Sequence, residues 1–125
     1  MATVVVGYVP KPEGEAALAA AVEEARRRGA TLVVVNARPP GADPGPDLDA
    51  VRRRLAESGL RFEIRELAQG LEAAEDLISV AEETGAELIV IGLRRRTPVG
   101  KLILGSNAQR VLLDAPCPVL AVKAS

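Results

Sequence analysis

Apolar residues follow two rhythms that alternate along the chain. Leu18, Ala21, Val22 and Ala25 fall at i, i+3, i+4 and i+7. So do Ala74, Leu77, Ile78 and Ala81, and again Ala108, Val111, Leu112 and Ala115, while Leu48, Val51 and Leu55 give a thinner stripe. Each spacing predicts an amphipathic helix with one apolar face. Between the helices stand short β-branched runs, which predict strands at 3–9, 31–37, 60–66, 87–91 and 118–123. "TVVVGYV", "TLVVVNA" and "ELIVIG" are nearly continuous apolar runs, as parallel strands covered on both faces require. The third strand differs: Leu60, Phe62 and Ile64 alternate with Arg61, Glu63 and Arg65, the pattern of a half-exposed strand at a sheet edge.

Three helix-to-strand junctions repeat one form, a polar helical segment, a glycine, then an apolar run. Gly29, Gly59 and Gly85 stand where a helix C-terminus favours a left-handed residue. The order β-α-β-α-β-α-β-α-β predicts an α/β fold: one open, five-stranded parallel sheet with right-handed crossovers and helices on both faces. Residues 38–47, "RPPGADPGPD", are the one Pro/Gly-rich break, too short for a domain linker. The 125 residues suit one domain spanning 1–125.

Composition narrows the chemistry. Hydrophobic residues make up 48% and aromatics 2%, so the core is aliphatic and offers little surface for stacking nucleobases of a single strand. A formal net charge of −1 gives no overall pull toward nucleic acid or an anionic membrane, and neither is expected as a partner. The absence of histidine removes the commonest general base and metal ligand. With one cysteine, Cys117, neither a zinc site nor an internal disulfide is expected. Asp43, Asp47 and Asp49 read as loop polarity and helix N-terminal charge, and no metal site is assigned. The N-terminus lacks the basic leader and apolar run of a signal peptide, and no stretch has transmembrane length. A cytoplasmic protein is expected.

In such sheets ligands bind beyond the carboxyl ends of the strands, where the strand order reverses. One segment there is "IGLRRRTPVGKLILGSN", residues 91–107. From Gly92 to Leu113 the chain holds Arg94, Arg95, Arg96, Lys101 and Arg110 and no acid. Gly105-Ser106-Asn107 then opens a helix. Ser106 is a favourable N-cap, and the exposed N–H groups there suit an anion. A phosphate cradle and a solvated basic loop are both compatible with these residues. A Walker A loop is excluded, because Leu102 follows the Gly100-Lys101 pair where Ser or Thr should bind magnesium.

The chain resembles the universal stress protein family along essentially its whole length. The resemblance is carried by "PEGEAAL", "GAELIVIG", "LILGSNAQRVL" and "APCPVLAVK". It implies a Rossmann-like sheet of strand order 3-2-1-4-5 and, in the ATP-binding branch, a loop of pattern G-x2-G-x9-G-[ST]. Here Gly92, Gly105 and Ser106 fill that frame, while Arg95 occupies the second glycine. Val9 stands where the family often shows a nucleotide-contacting aspartate, and Ala37 matches a position near the adenine. The nucleotide-binding set implied by the resemblance is therefore Val9, Ala37, Gly92, Arg95, Gly105, Ser106 and Asn107. Arg95 either reaches a phosphate or plugs the cradle. The implied function is a non-catalytic regulatory module with an altered adenine-nucleotide pocket and weak or absent ATP binding. The alternative is a sensor of ATP, AMP or cyclic AMP with slow hydrolysis, needing Mg if the ligand is ATP. No cofactor is otherwise required, and a protein partner is expected without being identified.

The last strand, "PVLAVK", is apolar yet belongs at the other sheet edge, where an open edge is a liability. Universal stress proteins commonly pair this strand between subunits, so a homodimer through Val119, Leu120, Ala121 and Val122 is expected. Cys117, between Pro116 and Pro118, reads as a small structural residue. The runs Arg26–Arg28 and Arg52–Arg54 read as solvated faces in the last turns of helices, complementing the helix dipole.

Overall fold

The computed structural model describes residues 2–36, 45–66, 72–93 and 105–124, with backbone alone at 45–47. The elements are β1 (Thr3–Tyr8), α1 (Pro12–Arg28), β2 (Thr31–Asn36), α2 (Gly45–Ser58), β3 (Phe62–Glu66), α3 (Ala73–Thr84), β4 (Leu88–Leu93), α4 (Ser106–Asp114) and β5 (Val119–Lys123). The strands form one parallel sheet in the order β3-β2-β1-β4-β5. Strand bounds differ from the predicted ones by one or two residues at most ends.

The aliphatic runs explain the layering. Side chains of successive strand residues point to opposite faces. Val4, Val6, Tyr8, Leu32, Val34, Leu88 and Val90 face α1 and α2, where they meet Leu18, Ala21, Val51 and Leu55. Val5, Val33, Val35, Ile89 and Ile91 face α3 and α4, where they meet Leu77, Val80 and Val111. Ile78 of the predicted α3 stripe is only half-buried and Val80 takes the core position. In α4 Val111 is the buried residue and Leu112 is exposed.

Gly29, Gly59 and Gly85 adopt φ of 60°, 78° and 63°, the left-handed conformation that ends α1, α2 and α3. At the first and third of these, the cap reverses the chain so that Ala30 N–H donates to the Ala25 carbonyl and Ala86 N–H to the Ala81 carbonyl, both at 2.9 Å. β3 is an edge strand, as its charge alternation predicts. Its Arg65 bonds Glu63 and, from α3, Glu83, each at 2.9 Å. These carboxylates hold the guanidinium pKa above its usual value.

The arginine runs divide. Arg26–Arg28 occupy the last turn of α1, but Arg52–Arg54 lie upstream of the last turn of α2, whose helix runs on to Ser58. Arg54 also pairs across elements at the surface: its Nη1 donates to Glu15 Oε2 at 3.2 Å, while the Tyr8 hydroxyl donates to Glu15 Oε1 at 2.7 Å. That chain links β1, α1 and α2.

Candidate functional site

A cleft of about 380 Å³ opens beyond the carboxyl ends of β1 and β4, on the α3/α4 side of the sheet. The location follows from topology: from β1 the chain winds outward to β2 and β3 and then returns to β4, so β1 and β4 flank the reversal of strand order.

The first turn of α1 sets the rim nearest the sheet. After β1 the chain bends tightly at Pro10, where Lys11 N–H donates to the Val9 carbonyl at 2.8 Å, and Lys11 itself is extended as the residue that precedes α1. Pro12 starts the helix, where its missing N–H costs nothing. Gly14 lies so close to Val9 that a Cβ there would overlap the Val9 carbonyl, and a Cβ at Gly92 would overlap the Glu13 carbonyl. The two glycines let α1 start directly over the ends of β1 and β4. Gly92 thus has a structural reason to be glycine, besides its place in the loop frame.

The opposite wall comes from α3 and α4. Ala73 begins α3, and Gly105, Ser106 and Asn107 begin α4; all four line the cleft. Ser106 is not the N-cap of α4. Gly105 holds that position in extended backbone (φ −71°, ψ 165°), and no side chain caps it. Ser106 is the first helical residue, so the turn comes one residue earlier than side-chain preference suggests. Leu77, Ile91, Leu93 and Val111 give the cleft an apolar lining.

The fold therefore brings Val9, Gly92, Gly105, Ser106 and Asn107 to one cleft. Ala37 and Arg95 lie outside the described residues, as do Asp43, Arg94, Arg96 and Lys101. Sequence reasoning missed Gly14, whose need is set by a contact between helix and strand end. It also missed Lys11 and Glu13, the ionisable described side chains in the cleft lining. The sequence "KPEG" at 11–14, a proline-initiated helix start, was the signal available for them. Three helix starts, those of α1, α3 and α4, converge on this space. Each presents first-turn backbone N–H groups that have no partner within the helix, and the positive end of its dipole. The arrangement suits a ligand with an anionic group at the rim and an apolar or planar body within.

Residues 1–123 match the profile of the Universal stress protein family. The chain belongs to the universal stress protein family. A universal stress protein of Mycolicibacterium smegmatis is 46% identical over 126 residues, covering 96% of each chain. The solved universal stress protein of Archaeoglobus fulgidus superposes with a TM-score of 0.80 at 35% identity, over 98% of this chain and 99% of that one. Another structure from that organism, a universal stress protein in complex with dAMP, gives a TM-score of 0.74 at 30% identity, over 98% of both chains. The observed strand order agrees with the one the family resemblance implies. Among the described residues, no cluster of carboxylates, histidines or cysteines could hold a metal ion, and no helix is long and apolar enough to cross a membrane.

Beyond the cleft, β5 is the second sheet edge. Ile89 N–H donates to the Pro118 carbonyl at 3.1 Å, and Ala124 N–H donates to the Leu93 carbonyl at 3.0 Å. By strand alternation Leu120 and Val122 also turn their backbone groups toward β4. Val119, Ala121 and Lys123 turn theirs outward. The side chains of Val119 to Val122 are half-buried, since α1 and α4 cover part of both faces. Cys117 is half-buried beside the α3/α4 core, and desolvation raises its thiol pKa.

Proposed function

We propose that this chain is a non-catalytic regulatory stress module whose cleft takes an adenine mononucleotide and binds ATP weakly or not at all. The observation that carries the reading is the convergence of three helix N-termini on one apolar-lined cleft at the β1/β4 reversal. Its volume lies in the range of small-molecule sites, roughly 300–1,000 Å³. The related A. fulgidus protein solved with dAMP supports a mononucleotide as the ligand. Val9 supports the weakness toward ATP: its side chain neither donates nor accepts a hydrogen bond where an aspartate contact belongs in the ATP-binding branch.

Isothermal calorimetry with AMP, cyclic AMP and Mg–ATP tests this. AMP is expected to bind at least about tenfold more tightly than ATP, a gap of ~1.4 kcal/mol. Val9→Asp is expected to strengthen ATP binding by restoring that contact. Mg-dependent ATP binding tighter than AMP binding overturns the preference, and binding of none of the three overturns the site.

The working unit we propose is one domain of residues 1–125, in the cytoplasm, as a homodimer paired through β5. A single cysteine, with no internal disulfide partner, suits a reducing compartment. The outward backbone groups of Val119, Ala121 and Lys123 form an edge open to a second β5. Leu112 of α4 is 41% exposed.

A further inference from the structure

α3 begins without a cap of its own. Glu72 precedes it in extended backbone and makes no side-chain cap bond. The bond comes from another helix: the Ala74 N–H, at the second helical position, donates to Asn107 Oδ1 of α4 at 3.3 Å. A second tie joins the same two helix starts, with Arg110 Nη1 donating to Glu75 Oε1 at 3.0 Å. Asn107 also lines the cleft, together with Ala73.

The donor at Ala74 fixes the chemistry of the Asn107 amide. Only the amide oxygen can accept from an N–H, so the oxygen faces α3. The remaining polar group is Nδ2, which carries two N–H donors and accepts nothing. We infer that Asn107 is a two-sided positioning residue: Oδ1 caps α3 while Nδ2 donates to the anionic group of the bound ligand. Occupancy of the cleft is thereby coupled to the order of the first turn of α3. The inference rests on the nucleotide reading of the cleft for its ligand half and on the bond from Ala74 N–H to Asn107 Oδ1 for its capping half. A ligand that holds Nδ2 restrains the amide and strengthens its bond to Ala74; by reciprocity, a firm cap favours the ligand.

Two substitutions separate the halves. Asn107→Ala removes both acceptor and donors. Asn107→Asp keeps an acceptor, better suited to a helix N-terminus, but replaces the donors with negative charge. Amide hydrogen exchange measured by NMR, without and with saturating AMP, reads α3, and calorimetry reads AMP affinity. Without ligand, the Ala74 amide is expected to exchange about fivefold faster in Asn107→Ala, the effect of losing a typical cap. It is expected at the native rate or slower in Asn107→Asp. AMP is expected to slow Ala74 exchange in the native chain, and both variants are expected to bind AMP more weakly, the aspartate at least as weakly as the alanine.

Equal ligand-free rates in native protein and Asn107→Ala, or acceleration in Asn107→Asp matching that in Asn107→Ala, overturn the cap. Native AMP affinity in Asn107→Ala overturns the donor role, and an unchanged Ala74 rate in AMP-saturated native protein overturns the coupling. Failure of the native chain to bind AMP overturns the reading of the cleft and the donor role with it, while the ligand-free rates still decide the cap.

Discussion

Gly92, near the end of β4, lies against the backbone of Glu13 in the first turn of α1, with no space between them for a Cβ. The contact places the start of α1 over the β1/β4 reversal and so gives the cleft its inner rim. Gly14 makes the reciprocal approach to Val9. Gly92→Ala and Gly14→Ala are each expected to destabilise the fold by about 1–3 kcal/mol, the usual cost of overpacking. The double variant is expected to lose less than the sum, because moving one helix start relieves both overlaps. Urea denaturation with unchanged m-values checks both statements.

The cap glycines answer to a different constraint. A Cβ at Gly29, Gly59 or Gly85 meets nothing within 4 Å, so the cost of substitution there is in the backbone alone. Alanine at φ near 60° is expected to cost about 1–2 kcal/mol. Asparagine, which tolerates the left-handed region, is expected to cost less. A thermal-denaturation series of Gly85→Ala and Gly85→Asn distinguishes this from a steric effect, in which the larger asparagine would be worse.

Desolvation raises the Cys117 thiol pKa above its ordinary value. The reactive thiolate is therefore scarce in the native protein at neutral pH. Alkylation by iodoacetamide is expected to be slower in the native than in the urea-unfolded chain, with its rate profile displaced to higher pH. Because the unfolded thiol loses its proton first, the native state is also slightly less favoured as pH rises through that range. A native profile lying at lower pH than the unfolded one would contradict the burial.

At the β5 edge the outward N–H of Ala121 can be removed without touching the ladder to β4. The native chain is expected to be a dimer, and Ala121→Pro is expected to give a folded monomer. Sedimentation velocity at micromolar concentration, with circular dichroism to confirm folding, checks this. A native monomer, or a dimer that persists in the variant, would contradict pairing through β5.

What could be read from the sequence was what local chemistry determines. The left-handed glycines at 29, 59 and 85 were legible because a helix end demands that backbone within a few residues. The central strands were legible because a run such as "TVVVGY" has no polar face to expose. The charge alternation of β3 marked its edge position. Helix faces were read less sharply: Val80 replaced Ile78 in the core, a rotation that fits the same apolar spacing. The N-cap of α4 falls on Gly105 because the backbone turns before Ser106, whatever its hydroxyl would favour. The bond from Asn107 to Ala74 spans 33 residues and left no local trace. The same holds for Gly14 and Gly92, whose need for hydrogen in place of a side chain is set across the sheet by the path of α1.

The central claim is that an adenine mononucleotide sits where α1, α3 and α4 begin. An AMP titration of the isotope-labelled native chain, followed by amide chemical shifts, tests it most directly. Saturable shifts concentrated at Lys11–Gly14, Ala73–Ala74 and Gly105–Ala108 are the expected result. No saturable shifts, or shifts confined to α2 and β3, would contradict it.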